Sequence, residues 1–387
     1  MKTDPKRISQ ALLGLSALCA IAFVIVLAIG NTAAAPHFLT GCFVSFALGA
    51  STGQGLLRQL AFTIWIATGV VVGMAFHGSF ITFPSWFFGL GDRELTILFI
   101  PVLQIIMFAM GTTLSVADFA RVFKMPTGVL IGLACQFTIM PLIGFGLAHA
   151  FGLPVGIAAG LVLVGASPSG LASNVMAFIA KANVAMSVTM TAFSTLLAPL
   201  LTPLLMKLFA GQMVEIDVPA MMWSMTKIVL LPVLVGLVFH HLVYHRLKWL
   251  DRVMPMVSMI GILIMTVLTV AVGHDKLMQV GLVLVLACLI HSTAGFTLGY
   301  YVCKLLGRDP LTCRTIALEV GLQNSGMAAG LAKSLGKVAT LGLVPIVFGP
   351  VMNIIASILA NWWRNHPVKS ELGNPVEPPT SEPKESQ

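Results

Sequence analysis

Long apolar segments follow one another along almost the whole chain, and short charged or Pro/Gly-rich stretches separate them. A helix needs about twenty consecutive apolar residues to cross the hydrocarbon core of a bilayer. The segments are continuous and do not alternate, which favours helices over the strands of a membrane barrel. The pattern therefore predicts twelve membrane-spanning helices, over residues 9–30, 38–57, 60–82, 95–116, 127–151, 154–178, 184–209, 221–245, 253–273, 277–305, 311–334 and 338–363.

The composition agrees with a lipid environment. Of the 387 residues, 57% are hydrophobic and 9% are charged, whereas soluble domains carry about a quarter charged residues. The net charge of +8 lies in short loops between apolar segments, which indicates membrane orientation and not a nucleic-acid partner. The six cysteines form no CxxC pair or His–Cys cluster, so they are interpreted as small core residues.

The basic residues predict an orientation. With the N-terminus inside and twelve alternating spans, sixteen of the 22 lysines and arginines fall on the cytoplasmic side and six fall outside. Cytoplasmic loops of membrane proteins carry an excess of such residues. We therefore expect a multi-pass protein of the plasma (inner) membrane with both termini in the cytoplasm.

The two ends of the chain differ from the middle. Residues 1–59 form a hydrophobic extension. Its pattern fits either an uncleaved helical hairpin or a signal peptide with a cleavage site at Ala33–Ala35. The apolar run 11–29 is long for a signal peptide and favours the hairpin. Residues 365–387 are rich in Pro, Glu and Ser, and we expect a disordered cytoplasmic tail.

Polar residues interrupt two of the apolar segments at matching places. The first interruption contains Ser167-Pro168-Ser169-Gly170, and the second runs from Glu319 to Gly326. Each lies in the fourth span of a five-span set, the sets being 60–210 and 211–364. Five spans per set place the second set in the opposite orientation, which is the inverted-repeat design of secondary transporters. The sequence thus predicts an all-α integral membrane protein with two inverted five-helix repeats and two discontinuous helices.

Glu319 is the one acidic residue that lies within an apolar span. A carboxylate at that depth is costly, so it binds a cation, carries a proton or pairs with a base. Thr315 and Gln323 hold the positions four residues away, so no base is next to it on the helix. A protonated Glu319 bonded to a neighbouring helix is the structural alternative. Neutral oxygens nearby would favour a hard monovalent cation such as sodium.

Such oxygens are present in the sequence. Ser187 and Thr191 lie four residues apart and present both hydroxyls on one helix face. Gln136 is a lone amide in an apolar stretch. Each also has an ordinary explanation, because Ser and Thr often bond their own helix backbone and a buried Gln can join two helices.

The motifs resemble those of the bile acid:sodium symporter family. The first is Ser-Gly-Leu-Ala-Ser-Asn ending at Asn174, followed by Lys181 and by Ser187-x-x-x-Thr191-x-x-Ser194-Thr195; the second is Glu-x-Gly-x-Gln-Asn-Ser-Gly from Glu319. Gln136 matches the glutamine of the family's third helix. The resemblance covers residues 60 to 363. It implies ten helices in two inverted repeats that form a core and a panel domain, with the broken helices crossing in the core.

The resemblance also implies the ligands of two sodium ions. The first site would use Ser173, Asn174, Ser187, Thr191 and Glu319. The second would use the side chains of Gln136, Glu319 and Gln323, with backbone carbonyls near Val320 and Leu322. Two departures from the family pattern stand out: Ser169 replaces the first glycine of a Gly-Gly pair, and Ala182-Asn183 replaces a common Gly-Asp.

The function expected from these features is sodium-coupled symport of small organic anions, such as bile-acid-like, pantoate-like or ketoacid carboxylates, by alternating access. The partners are then the organic anion, sodium ions and the bilayer, and no cofactor is expected. An anion can bind at the positive ends of the broken helices without an Arg. The residues expected to contact it are Ser169, Gly170, Leu171, Asn324 and Ser325.

Three alternatives stay open at this point. A proton-coupled carrier or a cation/proton antiporter would use the same broken helices and lone carboxylate. An intramembrane enzyme lacks support, because there is no HExxH motif and neither His149 nor His291 has an orienting acid. A non-transporting receptor would keep the fold but would have no need of the ion ligands. The cluster His240, His241 and His245 is interpreted as ordinary interfacial histidine.

Overall fold

The computed structural model describes residues 5–29, 34–53, 56–59, 61–80, 95–123, 125–243 and 249–368. These residues form mainly α-helices, with short 3-10 and π-helical turns between some of them. The first part of the chain contains α1 (Pro5–Ala28), α2 (Ala35–Thr52), α3 (Leu56–Gln59), α4 (Ala61–Ala75), α5 (Phe99–Gly111) and α6 (Val116–Ala120). The middle part contains α7 (Pro126–Ala150), α8 (Val155–Gly165), α9 (Ala172–Ile179), α10 (Val184–Ala210), α11 (Val218–Met225) and α12 (Leu231–Val243). The last part contains α13 (Leu250–Val272), α14 (His274–Leu305), α15 (Pro310–Gly321), α16 (Ser325–Ser334) and α17 (Leu343–Asn365).

Each of the twelve predicted spans overlaps at least one helix among the described residues. By length and composition, six helical segments are long and apolar enough to cross a membrane: Ile8–Ala28, Pro126–Ala150, Val184–Ala210, Val218–Leu242, His274–Leu305 and Leu343–Asn365. A π-helical turn at Thr226–Leu230 joins α11 to α12, so the fourth of these segments is continuous. The described part of the chain is therefore that of an all-α membrane protein, as predicted.

Some helix ends lie inside the predicted spans, and local chemistry explains where they fall. The helix α5 ends at Gly111 because Thr112 and Thr113 turn their hydroxyls onto the preceding carbonyls. A capping box between Ser115 and Asp118 then starts α6. Helix α16 ends at Ser334, as predicted, and Gly336 just beyond it adopts a φ of 68°, a left-handed conformation that favours glycine.

The N-terminal helices α1 and α2 form an antiparallel hairpin. Ser9 Oγ donates to the Gly49 carbonyl at 2.8 Å, and Ser16 Oγ donates to the Cys42 carbonyl at 3.0 Å. The hairpin is attached to α4 through α2, where Trp65 Nε1 donates to Ser51 Oγ at 2.9 Å. Helix α1 has an apolar outer surface suited to lipid, since only 11% of its spanning window is buried. The predicted tail lies mostly outside the described residues, which end at residue 368.

The core of the molecule surrounds the two broken helices. Every residue from Ile157 to Gly165 in α8 is buried, and so is every residue from Cys313 to Gly321 in α15. The stretch in α8 is apolar all round, as a helix that is buried on all sides requires, whereas the stretch in α15 also buries Arg314, Thr315 and Glu319. The polar residues that follow them consequently enter the interior of the protein.

Candidate functional site

The two breaks meet in the core and satisfy each other's backbone groups. Gly170 N donates to the Leu322 carbonyl at 2.9 Å, and Asn324 N donates to the Pro168 carbonyl at 2.8 Å. Ser169 and Gln323 thereby form an isolated antiparallel bridge. Irregular backbone at membrane depth is tolerated only where protein or a watery cavity satisfies it. Here each broken helix supplies the partners for the other.

Gly170 allows this close crossing. A Cβ at residue 170 would lie 2.9 Å from the Gln323 carbonyl oxygen, which is fixed backbone. We predict that Gly170→Ala lowers the free energy of unfolding by about 1–3 kcal/mol through overpacking, measured as thermal unfolding in detergent. Gly281→Ala in α14 is the matched control, because its Cβ has only the Leu277 side chain within 4 Å, at 3.8 Å. Equal stability of both variants and the wild type would contradict the close crossing.

The Glu319 carboxylate lies beside the crossing and is surrounded by hydroxyls. It is 1% exposed. Thr191 Oγ1 donates to Oε2 at 3.0 Å and lies 3.3 Å from Oε1, while Ser169 Oγ donates to Oε2 at 2.6 Å. Ser187 Oγ donates a short hydrogen bond to Oε1. Within the described residues no lysine or arginine contacts this carboxyl group.

The remaining predicted ligands of the first sodium ion lie in the same cluster. Asn174 Oδ1 lies 2.8 Å from Ser187 Oγ and 3.4 Å from Thr191 Oγ1. Ser173 Oγ lies 3.3 Å from Thr191 Oγ1 and donates to the Gly170 carbonyl at 2.8 Å. Helices α9, α10 and α15 thus bring together the five side chains expected at this site.

The second predicted set forms a separate cluster. Gln136 Nε2 donates to Gln323 Oε1 at 2.8 Å and to the Ser167 carbonyl at 2.9 Å. Gln323 Nε2 in turn donates to the Val320 carbonyl at 2.7 Å. Gln136 Oε1 is buried and has no hydrogen-bond partner, which leaves an unused oxygen donor. Among the described residues, no hydrogen bond joins the Glu319 carboxylate to either glutamine, so Glu319 belongs to the first cluster in this structure.

Both clusters suit a monovalent cation by their donor chemistry. They consist of oxygens from hydroxyls, amides, backbone carbonyls and one carboxylate, which are the ligands that hard cations prefer. The part of the chain that the structure describes contains no group of three His, Cys, Asp or Glu side chains able to hold a metal ion.

A cavity of about 420 Å³ opens beside the crossing. Four of the five residues expected to contact substrate line it, namely Gly170, Leu171, Asn324 and Ser325. Helix α16 begins here, and the Asn324 side chain caps it by accepting from Met327 N at 3.0 Å. The N-terminus of a helix carries partial positive charge, so this end of the cavity suits an anion.

Ser169 is placed differently from the expectation. Its hydroxyl bonds Glu319 and lies 3.1 Å from Ser194 Oγ, and Ser169 is not among the residues that line the cavity. The reason is the bridge with Gln323, which fixes the backbone at Ser169 and turns the side chain inward. Ser169, which stands where the family pattern has a glycine, therefore donates a hydrogen bond to the Glu319 carboxylate in this structure.

Two further groups were missed by assignment from the sequence. Asn353 in α17 lines the cavity and is only 5% exposed. Thr195 Oγ1 is buried without a hydrogen-bond partner, close in sequence to the Glu319 ligands. The Ser194-Thr195 pair in the first motif was the signal for Thr195. Asn353, like Gln136, is a lone amide in an apolar segment, and this feature could have marked it as a site residue.

The histidines do not form a catalytic site in the described residues. His291 is buried with Nε2 2.9 Å from the Met140 carbonyl, and its ring packs against the ring of Phe348 with centroids 5.3 Å apart. His149 Nδ1 lies 2.9 Å from the Phe145 carbonyl. His240 contacts the Thr112 carbonyl, whereas His245 lies outside the described residues. All six cysteines are free.

The fold and the site define a polytopic helical membrane protein of the secondary-transporter class, with buried oxygen clusters at the crossing of two broken helices. A model of the sodium bile acid symporter family matches residues 100–280. The chain is 38% identical over 314 residues, or 81% of its length and 94% of the relative, to the uncharacterized sodium-dependent transporter YocS of Bacillus subtilis. It is 35% identical to the probable sodium/metabolite cotransporter BASS1, chloroplastic, of Arabidopsis thaliana, covering 79% of this chain and 73% of that protein. The ileal sodium/bile acid cotransporter of Cricetulus griseus is 28% identical, covering 68% and 77%.

The chain belongs to the sodium bile acid symporter family. It is a multi-pass membrane transporter and not an enzyme, as the sequence motifs predicted.

Proposed function

We propose that the protein is a symporter that couples the movement of sodium ions to that of a small organic anion by alternating access. The observation that carries the proposal is the Glu319 carboxylate, which is buried among three hydroxyls with no basic partner in the described residues. A buried charge of this kind requires a counter-ion. The oxygen donors around it suit sodium.

In the proposed cycle, two sodium ions bind first. One occupies the cluster around Glu319, and the other uses the free oxygen of Gln136 with Gln323 and the carbonyls near Val320 and Leu322. Each cluster takes ligands from both breaks or from the helices beside them. Binding therefore stabilises the crossing and, with it, the helix ends that face the cavity.

The organic anion then binds in the cavity against those helix ends. Gly170, Leu171, Asn324 and Ser325 are the proposed contacts. The relatives carry metabolites or bile acids according to their names, and we propose a carboxylate of this general class. Transport of two sodium ions with one monoanion moves one net positive charge across the membrane. A membrane potential of about 100 mV supplies about 2.3 kcal/mol for this charge. That energy alone is enough for roughly 50-fold accumulation of the anion.

The architecture proposed for this cycle has two inverted repeats, residues 60–210 and 211–364, after the extension 1–59. The order of helices supports it, since each set has its broken helix followed by one long helix, α10 in the first and α17 in the second. We further propose that the protein lies in the plasma (inner) membrane with both termini in the cytoplasm.

The test is uptake of labelled bile acid, pantoate and ketoacid into proteoliposomes, with and without an inward sodium gradient. We expect sodium-dependent accumulation of at least one acid. Uptake that follows a pH gradient in the absence of sodium would support a proton-coupled carrier or a cation/proton antiporter instead. Failure of every acid to accumulate with sodium would contradict the proposal.

The second sodium site has its own prediction. Gln136→Ala removes the free amide oxygen and the hydrogen bond to Gln323. We expect the Hill coefficient for sodium to fall from near two to near one, because the cluster around Glu319 stays intact. The measurement is initial uptake rate against sodium concentration at fixed membrane potential. An unchanged Hill coefficient would show that Gln136 holds no coupling ion.

A further inference from the structure

A basic side chain lies on the wall of the cavity. Arg58 in α3 lines the cavity together with Ala61 and Thr63 of α4 and with the ends of the breaks. Among the described lining residues, Arg58 carries the one formal charge, and no acidic side chain joins it there. Its side chain is exposed, and no described residue forms an ion pair or a hydrogen bond with it.

The rest of the cavity divides into an apolar body and a polar end. Methionines are prominent in the body and come from several helices: Met107, Met110, Met176, Met259, Met265 and Met352. The amides of Gln323, Asn324 and Asn353 line it as well. Methionine side chains adapt to ligands of varied shape. The cavity therefore offers one fixed charge, hydrogen-bonding groups and an adaptable apolar surface between them.

The N-terminal hairpin explains how Arg58 reaches this wall. Helix α3 connects α2 to α4. Helix α2 is held on α4 by the Trp65–Ser51 hydrogen bond and by Thr68 Oγ1, which lies 3.3 Å from the Phe43 carbonyl. The short α3 is thereby fixed at the N-terminal end of α4. The extension thus acts on the cavity through the position of one guanidinium group.

We propose that Arg58 selects anions in the cavity. Its guanidinium forms an ion pair with the anionic group of the substrate, and the other polar groups of the substrate reach the ends of the broken helices. A guanidinium in a concave, partly apolar site attracts anions more strongly than the same group in open water. The occupant is therefore an organic monoanion with an apolar body and a second polar group. This inference rests on the proposed symport, and it names the residue that distinguishes an anion from its neutral congener.

The test compares Arg58→Gln and Arg58→Lys with wild type in proteoliposomes, using the acid of the labelled panel that accumulates with sodium. We expect Arg58→Gln to raise KM about tenfold or more, as for loss of a charge-assisted hydrogen bond, with little change in kcat. Arg58→Lys should recover part of this loss. The control is Arg308→Gln, which removes an exposed guanidinium between α14 and α15 and should leave KM unchanged.

A second measurement separates charge recognition from structural damage. The uncharged methyl ester of the same acid is tested as a competitive inhibitor. Its inhibition constant should be the same for wild type and Arg58→Gln, because the ester makes no ion pair. If Arg58→Gln weakens the binding of the ester as much as that of the acid, or if it keeps the wild-type KM for the acid, the inference is overturned. Sodium-dependent uptake by the wild type would still support the proposed symport. If wild type accumulates no acid with sodium, the proposed function fails and this inference fails with it.

Discussion

Glu319→Gln should reduce sodium-driven uptake by roughly a hundredfold, because removing the charge that faces a buried cation costs about 3 kcal/mol. Glutamine keeps the size of the side chain and leaves the surrounding hydroxyls hydrogen-bonded. The loss therefore reports on charge and not on packing. Initial uptake rate under an inward sodium gradient is the measurement.

Sodium binding can be followed separately in the same variant. In detergent, sodium at about 100 times the Kd of each site should stabilise the wild type by about 2.7 kcal/mol per occupied site, and Glu319→Gln should lose the contribution of the cluster around Glu319 while keeping that of the second cluster. The matched control is Glu215→Gln, since Glu215 is exposed in the loop before α11. Wild-type uptake and sodium stabilisation in Glu319→Gln would exclude the carboxylate as an ion ligand.

Thr191→Val should raise the sodium concentration for half-maximal uptake about tenfold, since one charge-assisted contact is worth about 1.5 kcal/mol or more. Thr191 Oγ1 lies within 3.3 Å of both carboxylate oxygens of Glu319, and valine has the same shape without the hydroxyl. Adding Ser187→Ala, which removes the other hydroxyl on that helix face, should bring the total shift to roughly a hundredfold.

Thr189→Val is the control for this pair. Thr189 lies on the same helix, but its hydroxyl bonds the carbonyls of Ala185 and Asp118, away from Glu319. We expect a small loss of stability and an unchanged sodium dependence. If Thr189→Val raises the sodium concentration for half-maximal uptake as much as Thr191→Val does, the effect belongs to α10 as a whole. That result would contradict the ligand role of Thr191.

The spacing of residues indicated two features of the first cluster, for a physical reason. Ser187 and Thr191 share a helix face because the helix repeats every 3.6 residues. Glu319 was conspicuous because a lone carboxylate in an apolar span is costly. These arguments need no knowledge of the fold. The matching positions of the two breaks came from the order of the spans, whereas the ligand set of each sodium ion came from the family resemblance. The structure places Ser169, Ser187 and Glu319 in one hydrogen-bonded cluster.

Other features depend on irregular backbone or on distant parts of the chain. Ser169 was expected to face the cavity, but in a break no helical periodicity fixes the direction of a side chain. Arg58 lies about 110 residues before the first motif, and its place on the cavity wall depends on how the N-terminal hairpin packs on α4. The separation of Gln136 and Gln323 from the Glu319 carboxylate likewise follows from three-dimensional packing.

The most direct test of sodium–anion coupling is reciprocal flux in proteoliposomes that contain wild type or Glu319→Gln. Vesicles are loaded with labelled sodium and with the organic acid that the wild type accumulates, and each efflux is measured with the other solute present or absent. Coupling predicts that in the wild type each solute accelerates the efflux of the other, and that in Glu319→Gln neither does. Sodium efflux that is independent of the acid, or acid efflux that is independent of sodium, would contradict the account.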